Sequence, residues 1–520
     1  MQAARYRLRV GGLTLDQTDR YGGARIRRGL WHFLAGKALT SVAGIGTFIL
    51  LIRALPIDAF AAYSILFGLV ELIGAITGVG ITHVMSRYVP EVYATHQNRT
   101  FKVLVLRLLA LRTVVLGIAI VLLWIFAPEL GQLIGLAGWD EALRLYLWVI
   151  AIRTILLTLF TLLEQMLLQG IAQLGLSLVT GSRFLILAAL WWAGELDLRT
   201  VIWVEIITDT LGVVIMLAGL SRNMPAGANT ADASVRQWLR DNRARMVDFG
   251  WKGYMQHMLV LPFSGATDRL IIGSQLAAGP VALFGFGQWI LDLMNRYLPA
   301  QLLQGMIRPV LTARYVRSGS FADVVFMSNL ILKINLVLLA LFAVVTFAGG
   351  EQAIAWLTAD KYGAEALLLL LLMTFLMALY SWRQVLDIAA HVVEKNGPLI
   401  WAHSVLVLSV IPGVLALPWL GVYALPVSHV AGVIIACALL IHRLAREGFV
   451  YQMAWKSLAL MMAAMLATMA ITTLMRDHLP WPVTCLAAVL VFLALWALSK
   501  PIDTAERRAL TEMVKRRASS

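Results

Sequence analysis

The stretch Lys102–Phe126, KVLVLRLLALRTVVLGIAIVLLWIF, decides the class of this protein. Its apolar residues run on without the alternation of a barrel strand, and its length is close to the ~20 residues that a helix needs to cross a bilayer. Similar runs occupy 30–52, 60–82, 143–168, 174–194, 199–220, 248–274 and 281–305. They continue at 325–348, 365–387, 397–417, 420–441, 454–474 and 480–499, which makes fourteen in all. The expected fold is an all-α polytopic membrane protein with about 14 transmembrane helices. The 520 residues are 60% hydrophobic and only 14% charged, with mean hydropathy +0.80. A soluble enzyme, a disordered regulator and a disulfide scaffold are all excluded by that balance. Cys437 and Cys485 both sit inside apolar runs, so they imply neither a disulfide framework nor a metal cluster. The 20 Met and 17 Trp suit helix packing and interfacial belts.

The formal net charge of +14 is explained by topology. Lys and Arg accumulate in cytoplasmic loops. With the N-terminus inside, the basic groups fall on that side: Arg5, Arg7, Arg9, Arg25, Arg27 and Arg28 in the tail, Arg236, Arg240, Arg243 and Arg245 after the sixth run, and Lys515, Arg516 and Arg517 at the end. The outward connections hold only Arg53, Arg199, Lys361 and Arg476. Both termini are therefore expected in the cytoplasm, the protein in the cytoplasmic (inner) membrane, and nucleic acid is not an expected partner. The tail lacks the apolar core of a signal peptide. The longest outward connections, near Pro128–Ala142 and Gly349–Ala364, hold about fifteen residues. That leaves no room for the external catalytic domain common in membrane glycosyltransferases, ligases and polymerases. No Walker motif and no metal-binding histidine spacing occurs, and His83, His257, His391 and His403 stand apart. The chain is read as a non-enzyme without cofactor or metal.

A shift of 221 residues aligns two regions. Leu55–Tyr63 falls on Leu276–Phe284, Glu71 on Asp292, Leu72 on Leu293, Met85 on Met306 and Arg87 on Arg308. The shift spans six helices, so both halves start on the same side. This predicts two six-helix bundles related by a pseudo-twofold along the membrane normal, plus two C-terminal helices, with the substrate path between the halves. The expected organisation is a cytoplasmic Arg-rich tail (1–29), a first bundle (30–220), a cytoplasmic linker (221–247), a second bundle (248–441), two extra helices (442–499) and a basic tail (500–520). Within the linker, Val235–Met246 reads as a short helix lying on anionic lipid.

Two stretches carry a family resemblance. Ile52-Arg-Ala-Leu-Pro-Ile-Asp-Ala-Phe-Ala-Ala-Tyr63, continuing to Gly78-Val-Gly-Ile81 and Ser86-Arg-Tyr-Val-Pro-Glu91, resembles the first hairpin of bacterial polysaccharide flippases. Asp268-Arg-Leu-Ile-Ile-Gly-Ser-Gln-Leu-Ala-Ala-Gly-Pro-Val-Ala-Leu-Phe284 resembles the seventh-helix pattern of the same proteins. Ala62 and Leu283 stand where that family has a glycine before the aromatic, and Pro56 where it has the glycine of its "LG". The chain thus resembles the polysaccharide transporter branch of the multidrug/oligosaccharidyl-lipid/polysaccharide exporter superfamily.

Charges inside spans are costly, at least ~2.5–3.5 kcal/mol when exposed to lipid, and default to functional roles. Asp248/Lys252, Asp292/Arg296 and Arg383/Asp387 stand at i,i+4 and can neutralise themselves. Arg107, Lys333 and Arg383 lie near the cytoplasmic face and can snorkel. Arg87 and Arg308 read as lipid anchors. Glu71, Arg153, Arg183 and Asp209 fall near the middle of their spans without a local partner, and so face either a water-filled cavity or another helix. Lys37, Arg153, Arg183 and Arg269 are the expected substrate-binding cations. Glu71, Asp209 and Asp292 are the expected coupling or gating acids. Gly285-Phe-Gly287 follows no strand and reads as helix packing.

The function these features imply is a flippase for a polyprenyl-(di)phosphate-linked oligosaccharide in lipopolysaccharide, capsule or exopolysaccharide assembly. Membrane lipids and the polymerase or glycosyltransferases of the pathway would be its partners. An ion-coupled drug antiporter of the same superfamily is the alternative, and a membrane-bound polymerase or ligase a lesser one.

Overall fold

A computed structural model of the chain describes residues 23–94, 97–225, 232–298, 311–312, 315, 317–476, 478–501, 503, 506 and 508. No strand occurs among them. The first helices are α1 (Gly23–Ala54), α2 (Ile57–Ile76), α3 (Ile81–Ala94), α4 (Asn98–Ile125), α5 (Ala127–Leu133), α6 (Asp140–Gln165), α7 (Gln169–Ala193), α8 (Leu198–Asn223) and α9 (Asp232–Val260). There follow α10 (Gly265–Gln275), α11 (Ala278–Tyr297), α12 (Phe321–Thr358), α13 (Ala364–Val392), α14 (Asn396–Leu408), α15 (Val410–Leu420), α16 (Ala424–Arg446), α17 (Trp455–Arg476) and α18 (Trp481–Ser499). Among the described residues, eleven stretches are long and apolar enough to cross a membrane, and one of them, Gly397–Arg446, joins two of the fourteen runs. The chain is an all-α, multi-pass membrane protein. Its outer surface shows why: α4 buries Phe101, Leu104, Leu108 and Leu116 but leaves Leu111, Val114, Ile118 and Val121 exposed. Water would penalise that apolar face, whereas lipid accepts it.

Local chemistry sets the breaks. The sixth run starts at Asp197, whose carboxylate accepts from the Thr200 backbone N–H while Thr200 reaches back, a reciprocal cap for α8. The second run, read as one span to residue 82, ends earlier: α2 stops at Ile76 and a turn through Gly78–Gly80 restarts the chain as α3. Gly80 has φ +73°, and a Cβ there would collide with the Gly250 carbonyl of α9. Glu71 therefore stands in the last turns of its helix rather than at mid-span. The seventh run is also divided. A 3-10 turn at Leu261–Phe263, with Pro262 in it, ends α9, and Ser264 caps α10 by accepting from Thr267 N–H. Arg269 thus lies near the start of a separate helix, not at the end of the first helix of the second half. The helix expected within the linker continues into this run, because α9 is unbroken from Asp232 to Val260.

The described chain forms two compact units. The first comprises 1–54, 69–131 and 137–258. In it α1 packs on α7, and α6 and α7 on α8. Its core gathers Tyr88, Phe101, Leu156, Leu163 and Met216, and α9 adds Val235 and Leu239, while Arg236, Arg240 and Arg243 point outward. The second unit comprises 55–68, 132–136 and 259–520. In it α12 packs on α13, α14 on α16, and α17 and α18 close on α12. The last contact uses small residues, as membrane helix pairs do: Ala348, Ala464 and Ala488 around Val344 and Phe492. Within this unit a Cβ on Gly285 would meet Ser64 and one on Gly287 the Met373 sulfur, so these glycines serve close helix packing as expected.

The 221-residue shift is visible in the element boundaries. Adding it to the bounds of α2, 57 and 76, gives 278 and 297, the bounds of α11, so Glu71 and Asp292 occupy the same position in two 20-residue helices. Arg308 and Met306, the N-terminal tail to residue 22 and Lys515, Arg516 and Arg517 lie outside the described residues.

Candidate transport site

Four charges meet inside the first unit. Arg153 of α6 places Nε 2.9 Å from Asp209 Oδ2 and Nη2 3.1 Å from Glu205 Oε1. Arg183 of α7 places Nη2 2.5 Å from Asp209 Oδ1, Nη1 3.5 Å from Glu205 Oε1, and Nε 3.3 Å from the Thr208 hydroxyl. Glu205 and Asp209 are each only 1% exposed. Both stand on α8 one turn apart, so one helix face presents two carboxylates to two guanidinium forks. Two positive and two negative charges cancel. The two mid-span arginines, which the sequence leaves between a cavity and another helix, thus have their counter-charges on a neighbouring helix, and Asp209 is one of them. Glu205 and Thr208 complete the group. The signal that could have found Glu205 was its i,i+4 spacing to Asp209.

Arg112, a fifth buried charge in this unit, is 5% exposed. Its Nη2 donates to the Gly74 carbonyl at 2.8 Å, in the last turn of α2, where unpaired carbonyls and the helix dipole favour a cation. Lys37 is half-buried on α1 and within electrostatic reach of Glu164 on α6. A few residues away, a buried seam ties α1 to α7: Gln173 donates to Thr40 at 3.0 Å, and Ser177 donates to the Gly36 carbonyl at 3.0 Å. Glu71 is exposed on α2, and Arg87 pairs with Glu91 at 2.7 Å.

In the second unit Arg269 is 4% exposed. It donates to Asp292 Oδ2 at 3.2 Å and lies over the Phe67 ring at 5.3 Å. Gln288 donates to the other oxygen of Asp292 at 3.1 Å. Asp292 thus pairs with Arg269 across helices; the pairing with Arg296 expected from i,i+4 spacing does not organise this corner. Beside it Asp268 meets His429 Nε2 at 3.0 and 3.1 Å, both residues buried. Lys333 does not reach for the surface. It is 3% exposed and donates to Glu506 at 2.7 Å and to the Pro501 carbonyl at 3.1 Å, so the chain beyond α18 covers it. Two pairs form as their spacing predicts: Asp248/Lys252 at 2.8 Å and Arg383/Asp387 at 3.3 Å. No group of three or more metal-ligating side chains occurs among the described residues.

No protein-family description matches the chain, and no curated protein matches it in sequence. Several solved structures are similar, two of them as follows. One is the lipid II flippase MurJ in an inward closed conformation, at 11% identity and TM-score 0.67, covering 90% of this chain and 98% of that one. The other is a multidrug resistance MATE family transporter of the MOP superfamily in an inward-facing conformation, at 12% identity and TM-score 0.59, covering 79% and 95%. At such identities it is the fold that is shared. The fold of this chain is the one found in that superfamily, as the two sequence stretches led one to expect.

Proposed function

We propose that this protein is a flippase that carries a polyprenyl-(di)phosphate-linked oligosaccharide from the inner to the outer leaflet of the cytoplasmic membrane by alternating access. The observation that carries this reading is coverage: the chain spans 98% of the length of a lipid II flippase with the same fold. A lipid-linked substrate needs what such a body offers. Sugar hydroxyls and phosphates lose their water in hydrocarbon at prohibitive cost, while the polyprenyl tail is at home in lipid. Polar groups within the helical body lower the first cost. In the same reading both termini are cytoplasmic, spans 1–6 and 7–12 are the repeated halves, and Lys37 in the first unit, like Arg269 and Asp292 in the second, takes part in head-group binding. Arg153 and Arg183, paired with Glu205 and Asp209, act in this reading by holding the first unit together. The pathway is one of surface glycan assembly, with a polymerase or glycosyltransferases acting before or after the flip.

A drug/ion antiporter is the second reading, favoured by the MATE likeness and by the cancelling of charges in the first unit. Deletion in the source cell separates the two. The flippase reading expects lipid-linked oligosaccharide to accumulate on the inner leaflet and surface glycan to vanish. Unchanged glycan with new sensitivity to cationic dyes would replace it by the antiporter.

A further inference from the structure

Helix α13 carries polar groups outside the pairs described so far. Along it Tyr380, Gln384, Asp387 and His391 stand at i, i+4, i+7 and i+11, a polar stripe three turns long on an otherwise apolar spanning helix. The stripe lines a cavity of about 380 Å³ within the second unit, with Arg383 and Phe263 in the same wall. That volume falls in the range of small-molecule sites, roughly 300–1,000 Å³.

Arg383 donates through Nη1 to Asp387 Oδ2 at 3.3 Å, and His403 Nε2 stands 3.5 Å from the same oxygen. The side chains of Arg383 and Asp387 remain 22% and 18% exposed and Gln384 is half-buried, so all three keep surface for a guest in the cavity they line. Glu205 and Asp209, each 1% exposed, do not.

The chemistry of the set narrows the guest. Arg383, Gln384 and Asp387 line the same space, and the Arg383 charge is balanced by Asp387. A phosphate only accepts hydrogen bonds and would meet the Asp387 carboxylate. A sugar ring suits the set, because each hydroxyl both donates and accepts. Its donors suit the Asp387 carboxylate, and its acceptors suit the Arg383 guanidinium and the Gln384 amide. Phe263 and Tyr380, packed edge to face at 5.7 Å, give an aromatic wall for its C–H face. We infer that this cavity is a binding subsite for a neutral sugar residue. The inference rests on the flippase reading and assigns the sugar, as distinct from the phosphate, to the second unit.

The test is retention of the full-length protein, in a detergent without a sugar head group, on an array of soluble bacterial surface oligosaccharides. Inorganic pyrophosphate serves as competitor. The expected result is retention of wild type on at least one oligosaccharide, a tenfold or greater loss in Gln384→Leu and in Asp387→Asn, and no competition by pyrophosphate. Equal thermal midpoints in wild type and Gln384→Leu guard against a folding artefact. Retention on no oligosaccharide, unchanged retention in both variants, or displacement by pyrophosphate would each overturn the inference. Sugar retention by a wild type that translocates nothing removes the transport reading and leaves the cavity. Translocation by a wild type that retains no sugar does the reverse.

Discussion

The two units spend their buried charge in opposite ways. In the first, Arg153, Arg183, Glu205 and Asp209 close a square across α6, α7 and α8 and leave no net charge. In the second, Arg383 and Asp387 hold each other with one bond and line a cavity. The lesson is that an ionisable residue in a membrane span is not by that fact a ligand. What separates the two regions is access: Glu205 and Asp209 are each 1% exposed, whereas the side chains of Arg383 and Asp387 keep 22% and 18% of their surface at a cavity.

The largest effect expected from this contrast is in the square. Arg153→Gln leaves Arg183 alone against two buried carboxylates, and breaking such a pair costs ~3–5 kcal/mol. Folded protein in the membrane should fall sharply, as fluorescence-detected size exclusion would show. Arg153→Gln with Asp209→Asn restores neutrality and should recover most of it. A well-folded Arg153→Gln that has lost only transport would move the square back among the ligands. Next comes Lys333→Met, which strands Glu506, 4% exposed. The expected loss is about 3 kcal/mol, the low end for a buried pair, read as a lower thermal midpoint. Adding Glu506→Gln should restore much of it.

Cavity substitutions should sharpen the contrast from the other side. Gln384→Leu leaves no buried charge unpaired and should keep the thermal midpoint within about 2 °C, the shift of a small change in a large protein, while sugar retention falls. The smallest effect is a pH dependence in the first unit. His83 on α3 is held below its ordinary pKa of 6.5 by burial and, second, by His257. The unfolded chain therefore binds this proton more readily than the folded one. The stability that the neutral ring contributes is present above pH 6.5 and declines as pH falls from there through the lowered folded value. His83→Gln should flatten the thermal midpoint between pH 7 and 5. An unchanged slope would show that His83 is not the group responsible.

Much of the fold was legible because its cause is one-dimensional. Among the described residues each of the fourteen apolar runs is mainly helical, since length and apolarity suffice for that. The breaks were less so. Pro262 and Ser264 were in plain view, yet the apolar residues on either side hid the 3-10 turn between α9 and α10. Partners across helices were not legible at all. Nothing local tells that Arg269 would turn to Asp292, or that Lys333 would be capped by residues 168 and 173 positions later. For Arg383 and Asp387 the i,i+4 spacing named the pair correctly but concealed the cavity that the pair lines.

The central claim is tested most directly by transbilayer movement in proteoliposomes. Equal amounts of folded wild type and of Gln384→Leu would be reconstituted with a fluorescent polyprenyl-diphosphate-linked oligosaccharide, and a membrane-impermeant quencher would follow its appearance on the other leaflet. The account predicts that wild type moves the lipid far faster than protein-free vesicles and that Gln384→Leu is at least tenfold slower. Movement no faster with wild type than with empty vesicles would contradict it.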